Sequence, residues 1–143
     1  MNLKICKLHP DAATPIYATA GAACFDIQAI EPAEIESYRA HTIRTGLAFE
    51  VPEGQVMLVF SRSGHGFKHG VRLSNCVGVI DADYRGEVMV SLRNDQASHF
   101  DVRQGDRIAQ ALLLPVERVS FEVVEQMSLS LTERGEGGFG STG

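Results

Sequence analysis

Four stretches of this 143-residue chain group side chains that could handle a small polyanion. Gly78-Val-Ile-Asp81-Ala-Asp83-Tyr84-Arg85-Gly86-Glu87 carries an apolar run into a turn with two carboxylates, a ring and a glycine. A hairpin tip of that kind presents a general base beside a flat surface. Asp81 and Asp83 lie two apart, so on extended backbone they share a face while Ile80 points away. Phe60-Ser-Arg62-Ser63-Gly64 reads as a strand end entering a helix, where N–H groups and the dipole favour an anion. Gly105-Asp-Arg-Ile-Ala-Gln110 is a polar turn feeding an apolar strand. Arg134-Gly-Glu-Gly-Gly-Phe139-Gly140-Ser141-Thr142-Gly143 holds five of the fourteen glycines together with hydroxyls and a guanidinium, the parts of a phosphate nest. Each stretch also has an ordinary reading: a solvated turn for the hairpin and the Gly105 segment, a disordered terminus for the last.

The tail lacks the lysine of a nucleotide-binding P-loop and no helix follows it. Phe139 is the unusual member, because an aromatic in a glycine tract gains area only by closing over another flat surface. A lid over residues 134–143 is therefore expected, mobile until something orders it, on a single domain of residues 1–133.

The elements that must position these groups are short. Segments His41–Leu47, Gln55–Phe60, Glu87–Leu92, Arg107–Leu114 and Val119–Glu125 are rich in Val, Ile, Leu and Phe, and several alternate apolar with polar. One short helix is predicted over Ser63–His69, with Ser63 as N-cap and Gly70 after its last turn. The fold class is all-β, a jelly-roll-like barrel of short strands.

Composition narrows the partners. With 13 Lys+Arg against 18 Asp+Glu and a net charge of −5, no basic stripe is available for a nucleic acid, although a local field can still hold a small anion. No run of eighteen apolar residues suggests a membrane span, and Lys and His interrupt the N-terminal segment, so a soluble cytoplasmic protein is expected. Cys6, Cys24 and Cys76 have neither disulfide nor zinc spacing and are expected to be reduced. His9, His41, His69 and His99 read as surface or packing residues, with His65 nearer the phosphate stretch.

In this order, and together with Gly21-Ala-Ala-Cys-Phe-Asp26-Ile, the segments resemble the five motifs of the trimeric dUTP pyrophosphatases, from about Ala20 to Gly143. The resemblance implies the dUTPase-like β-clip fold, a homotrimer with shared active sites, and hydrolysis of dUTP to dUMP and pyrophosphate. It implies that Asp81 positions the attacking water, that Tyr84 excludes a ribose 2′-OH, and that backbone around Asn75 reads uracil. Arg62, Ser63, Gly64 and Gln110 would contact the phosphates, with Asp26 supporting them from behind. Arg134, Phe139, Gly140, Ser141 and Thr142 would close over the nucleotide. Mg²⁺ would be held by phosphates and water, with no direct protein ligand. The chain departs from the family at Ser61, where Pro is usual, and at His65, Phe67 and Cys76. A dCTP deaminase of the same superfamily, or a dUTP-dependent regulator without catalysis, would share the fold; the complete tail and Asp81-Ala-Asp83-Tyr84 favour the pyrophosphatase.

Overall fold

The computed structural model describes residues 2–140, in which twelve strands and one α-helix follow in order. They are β1 (Lys4–Lys7), β2 (Ile16–Tyr17), β3 (Phe25–Gln28), β4 (Ala33–Ile35), β5 (Ala40–Ile43), β6 (Leu47–Glu50) and β7 (Gln55–Phe60), then α1 (Ser63–His69). After the helix come β8 (Val71–Leu73), β9 (Val77–Ile80), β10 (Val90–Asn94), β11 (Phe100–Val102) and β12 (Arg107–Pro115). The largest sheet has the order β2-β3-β12-β7-β9, a second runs β5-β10-β8, and β1-β6 and β11-β4 form two-stranded ribbons. All pairings are antiparallel. This is the expected all-β, jelly-roll-like arrangement of short strands with one short helix.

Alternation explains the layering. Along β10, Val90, Leu92 and Asn94 are buried while Ser91 and Arg93 are only half covered. The inward rows meet in one core built on Ile27, Ile35, Ile43, Leu47, Phe49, Met57, Leu92 and Ile108. Asn94 sits fully buried without penalty, because its amide donates to the carbonyls of Ile35 and Ser98 and accepts from Gln96 N–H.

Three expected elements differ. The segment His41–Leu47 is broken at Arg44-Thr45-Gly46, where Gly46 adopts φ +66° and a Cβ would lie 3.0 Å from those of Ala12 and His9. Glu87 clamps the break by accepting from Gly46 N–H at 2.8 Å and from Arg44, which leaves Glu87–Met89 outside the strand, so that it starts at Val90. Val119–Glu125 forms no strand, and Phe121 and Val123 are more than 90% exposed. An apolar strand requires a ladder partner and a covering face, and the described residues offer it neither.

Helix α1 has the expected ends, and Gly70 takes φ +59° while its N–H bonds the Gly66 carbonyl. The cap differs: Arg62, extended and without a side-chain capping bond, precedes the helix, and Ser63 is already helical. No helix among the described residues is long and apolar enough to cross a membrane.

Candidate functional site

The central strand β12 aligns the first cluster. Its Gln110 stands opposite Asp26 on β3 and Phe60 on β7, and donates from Nε2 to the Ser61 carbonyl at 2.9 Å. The register shifts between Arg107 and Ala109, and this bulge lets Arg107 and Gln110, three residues apart, line the same cavity. Asp26, 7% exposed, receives Arg62 Nε on Oδ1 at 3.2 Å and Arg107 Nη1 on Oδ2 at 3.1 Å. A buried carboxylate demands such pairing. Two guanidiniums against one carboxylate leave an excess positive charge beside a cavity of about 320 Å³ whose lining includes Asp26, Arg62, Ser63, Gly64, Arg107 and Gln110. The remaining wall is small and apolar, from Ala18, Ala22, Ala23 and Cys24. Burial, and then the Asp26 charge, push the Cys24 thiol up, so it lines the cavity as a neutral group and not as a nucleophile.

Ser61 has a role of its own. Its hydroxyl accepts the Leu73 N–H at 2.8 Å, joining the end of β7 to β8, while its carbonyl holds Gln110. The side chain that replaces the family's usual proline therefore braces the cluster by a hydrogen bond where a ring would have fixed φ.

The second cluster lies on the turns before and after β9, and it is not the hairpin expected from the sequence, because β8 pairs with β10 and β9 with β7, in different sheets. Asn75 and Gly78 line a cavity of about 290 Å³ with Val59, Val79, Ile80 and Met89. Cys76, at φ +62°, makes the turn, and the Val77 N–H returns to the Asn75 carbonyl at 2.7 Å. A Cβ on Gly78 would come within 3.1 Å of the Val59 side chain, so glycine keeps the strands close. Strand β9 ends at Ile80, and Asp81 and Asp83 project from the following turn while Ala82 packs on the core. Tyr84, 43% exposed, donates from its hydroxyl to the Glu87 carbonyl at 3.0 Å and lies over Gly86. A Cβ at Gly86 would meet the Tyr84 hydroxyl oxygen at 2.5 Å. Arg85 donates to the carbonyls of Ala82 and Tyr84 and ties the turn down.

The tail forms a third group. Arg134 donates to the Gly137 carbonyl at 2.7 Å, and Phe139 is fully exposed at φ +49°, followed by Gly140 at φ +86°. Ser141 and Thr142 lie outside the described residues. Among the described residues, the cavities holding Gln110 and Asn75 share no lining residue, and no tail residue lines either. One chain thus gathers Asp26, Arg62, Ser63, Gly64 and Gln110, sets Asn75, Asp81 and Tyr84 along another edge, and leaves Arg134 and Phe139 apart.

Two members of the first cluster escape a reading of the sequence. The bulge that turns Arg107 inward has no signature in a period-two pattern. His65 stands out in the sequence only as a neighbour of the phosphate stretch; its ring approaches Arg62 Nη1 with Nε2 at 3.4 Å and packs on Phe100 with centroids 5.4 Å apart. Burial first, and then Arg62, hold its pKa below the ordinary 6.5.

The donor set suits a polyanion that brings its own cation. Among the described residues, the one carboxylate lining the phosphate-type cavity is already taken by two guanidiniums, and the other polar groups are N–H, hydroxyl, amide and the Cys24 thiol. Among the described residues, Glu34, His99 and Asp101 come within 4.8 Å of one another as possible metal ligands, but they are exposed and line neither of these two cavities.

Comparison with known proteins identifies the family and the fold. The dUTPase family model matches residues 11–143. The chain is 48% identical to the deoxyuridine 5′-triphosphate nucleotidohydrolase of Nautilia profundicola over 143 residues, covering 100% of this chain and 99% of that one. It is 45% identical to the protein of the same name from Wolinella succinogenes, covering 100% and 95%. Among solved structures, the dUTPase of Staphylococcus bacteriophage 80alpha with dUPNHPP matches with a TM-score of 0.92 at 28% identity, covering 99% of this chain and 98% of that one.

Proposed function

The chain belongs to the dUTPase family and is a dUTP diphosphatase, and we propose that it cuts dUTP to dUMP and pyrophosphate in sites shared by three copies of itself. The observation that supports sharing is the separation within one chain of the phosphate cavity, the Asn75–Tyr84 edge and the tail.

In this reading dUTP lies between the clusters of neighbouring copies. Uracil sits against the turn around Asn75 and pairs with its backbone. Tyr84, fixed by its bond to Glu87, packs against the deoxyribose and leaves no room for a 2′-OH. Asp81, exposed beside it, accepts from the 3′-OH and from a water that it aims at the α-phosphorus. Arg62, Ser63, Gly64 and Gln110 receive the phosphate chain, with Asp26 holding Arg62 in place. Ser63 donates where leaving-group charge grows on the α–β bridging oxygen, which lowers the barrier more than it tightens substrate binding. Phe139 of the tail stacks on uracil, while Arg134, Gly140, Ser141 and Thr142 cover the β- and γ-phosphates and exclude bulk water. When bound to the triphosphate, Mg²⁺ supplies charge neutralisation, held by phosphate oxygens and water. Removal of dUTP would keep uracil out of DNA, and the product dUMP would feed thymidylate synthesis, in the cytoplasm.

Product analysis after incubation with Mg²⁺ and dUTP, UTP, dCTP or dTTP tests this. Pyrophosphate and dUMP from dUTP alone are expected. Deoxyuridine nucleotides from dCTP would point to a deaminase, and an inert protein that still binds dUTP would be a regulator.

A further inference from the structure

His65 lies one helical turn from Arg62 and brings Nε2 to within 3.4 Å of its Nη1. A guanidinium never gives up its protons, so at this contact the imidazole can only accept, and its own proton must sit on Nδ1. Nδ1 is buried with no hydrogen-bond partner. An apolar side chain would avoid that cost. The ring instead packs against Phe100 and His69, which also touch each other, with its accepting nitrogen on the arginine. The same guanidinium donates to Asp26 and to the Arg107 carbonyl, so His65 adds a further point of attachment beside the phosphate cavity.

We propose that His65 is a positioning residue for Arg62, its neutral imidazole accepting from the guanidinium and keeping it turned toward the substrate phosphates. The proposal rests on the reading of Arg62 as a phosphate ligand. A proton on Nε2 would set donor against donor and charge against charge, releasing Arg62. The charged and titratable groups around the ring are Arg62, His69, Asp106 and Arg107; Asp106 alone favours the proton, and burial opposes it. Phe100, from β11, is uncharged.

The test compares wild type with His65→Leu, His65→Gln and Arg62→Ala by steady-state kinetics on dUTP, a pH series and thermal melting. His65→Leu is expected to raise KM about tenfold, the low end for a hydrogen bond to a charged group, with kcat within about twofold and Tm unchanged or higher. His65→Gln, whose amide oxygen can accept from Arg62, is expected to restore most of the affinity. The ratio of wild-type KM to the His65→Gln KM should be flat near neutrality and climb as the pH falls below 6.5 and wild type takes up its proton. Unchanged KM in His65→Leu, a lower Tm as its only effect, or failure of glutamine to rescue would each overturn the proposal. If His65→Leu does not fold, the His65→Gln pH ratio decides alone, and a flat ratio overturns it. Arg62→Ala separates the two levels: normal KM there sinks the phosphate role of Arg62 itself, whereas a raised KM with silent His65 variants sinks only the inference.

Discussion

Asp81 stands in the turn after β9 with its carboxylate exposed, a place where it can meet solvent water and a nucleotide at once. Asp81→Asn keeps the shape and removes the charge that orients that water. Turnover of dUTP is expected to fall about 10²–10⁴-fold, the range for a positioned base, while the dissociation constant for dUPNHPP measured by calorimetry changes little. Near-normal turnover would remove Asp81 from the mechanism. Tyr84 depends on a neighbour that offers no side chain at all: a methyl group at Gly86 would overlap the phenol. Gly86→Ala is therefore expected to push the ring aside, breaking its bond to the Glu87 carbonyl, and to raise the UTP/dUTP ratio of kcat/KM about tenfold, the scale on which a pocket discriminates by shape. An unchanged ratio would mean that Tyr84 does not set sugar choice.

At the scale of elements, the break at Arg44-Thr45-Gly46 and its Glu87 clamp decide where β5 ends and β6 begins. Burial alone would raise the Glu87 carboxyl, but the Gly46 N–H and Arg44 outweigh it and hold its pKa below the ordinary 4.5. The unfolded carboxyl takes its proton first as pH falls, so this stabilisation is complete above 4.5 and is lost through the folded value below it. Glu87→Gln should melt lower at neutral pH, losing about 1–3 kcal/mol for charged bonds weakened at a largely covered site, and should show a flatter acid limb in a Tm-against-pH series. A parallel limb would assign acid sensitivity elsewhere. The same region shows what a sequence can and cannot disclose. Gln55–Phe60 and α1 were readable, because an unbroken apolar run of β-formers and Gly70 mark them without help from distant residues. The interruption at Gly46 depends on Ala12, His9 and Glu87 arriving from elsewhere in the chain. Val119–Glu125 has the apolar content of a strand and finds no ladder. Of the site residues, Arg62, Ser63, Gly64 and Gln110 stand in motifs and meet in one cavity, whereas Arg107 enters through a bulge that a period-two pattern does not show.

Taken whole, the last strand among the described residues ends at Pro115, and the segment that follows leaves Val119, Phe121, Val123, Met127 and Leu131 in solvent. Removing residues 134–143 takes away only the glycine-rich end and leaves every strand in place. The truncated protein is expected to keep its Tm within a few degrees and its oligomeric mass by light scattering, while kcat/KM for dUTP drops at least about a hundredfold for want of closure. A monomeric or unfolded product would show that the end is structural. The distribution of site residues over three places in one chain also has a genetic consequence. Two damaged proteins, one carrying Asp81→Asn and one lacking the tail, are each inactive, but unfolded and refolded together they should complement. If Asp81 and the tail of each site come from different copies, roughly a quarter of the sites in an equal random mixture receive both intact parts, and activity reappears in that proportion. By the same rule, a copy carrying only Asp81→Asn lowers the activity of a mixed assembly no further than its share, whereas a copy that has lost both Asp81 and the tail spoils two sites in every assembly it joins.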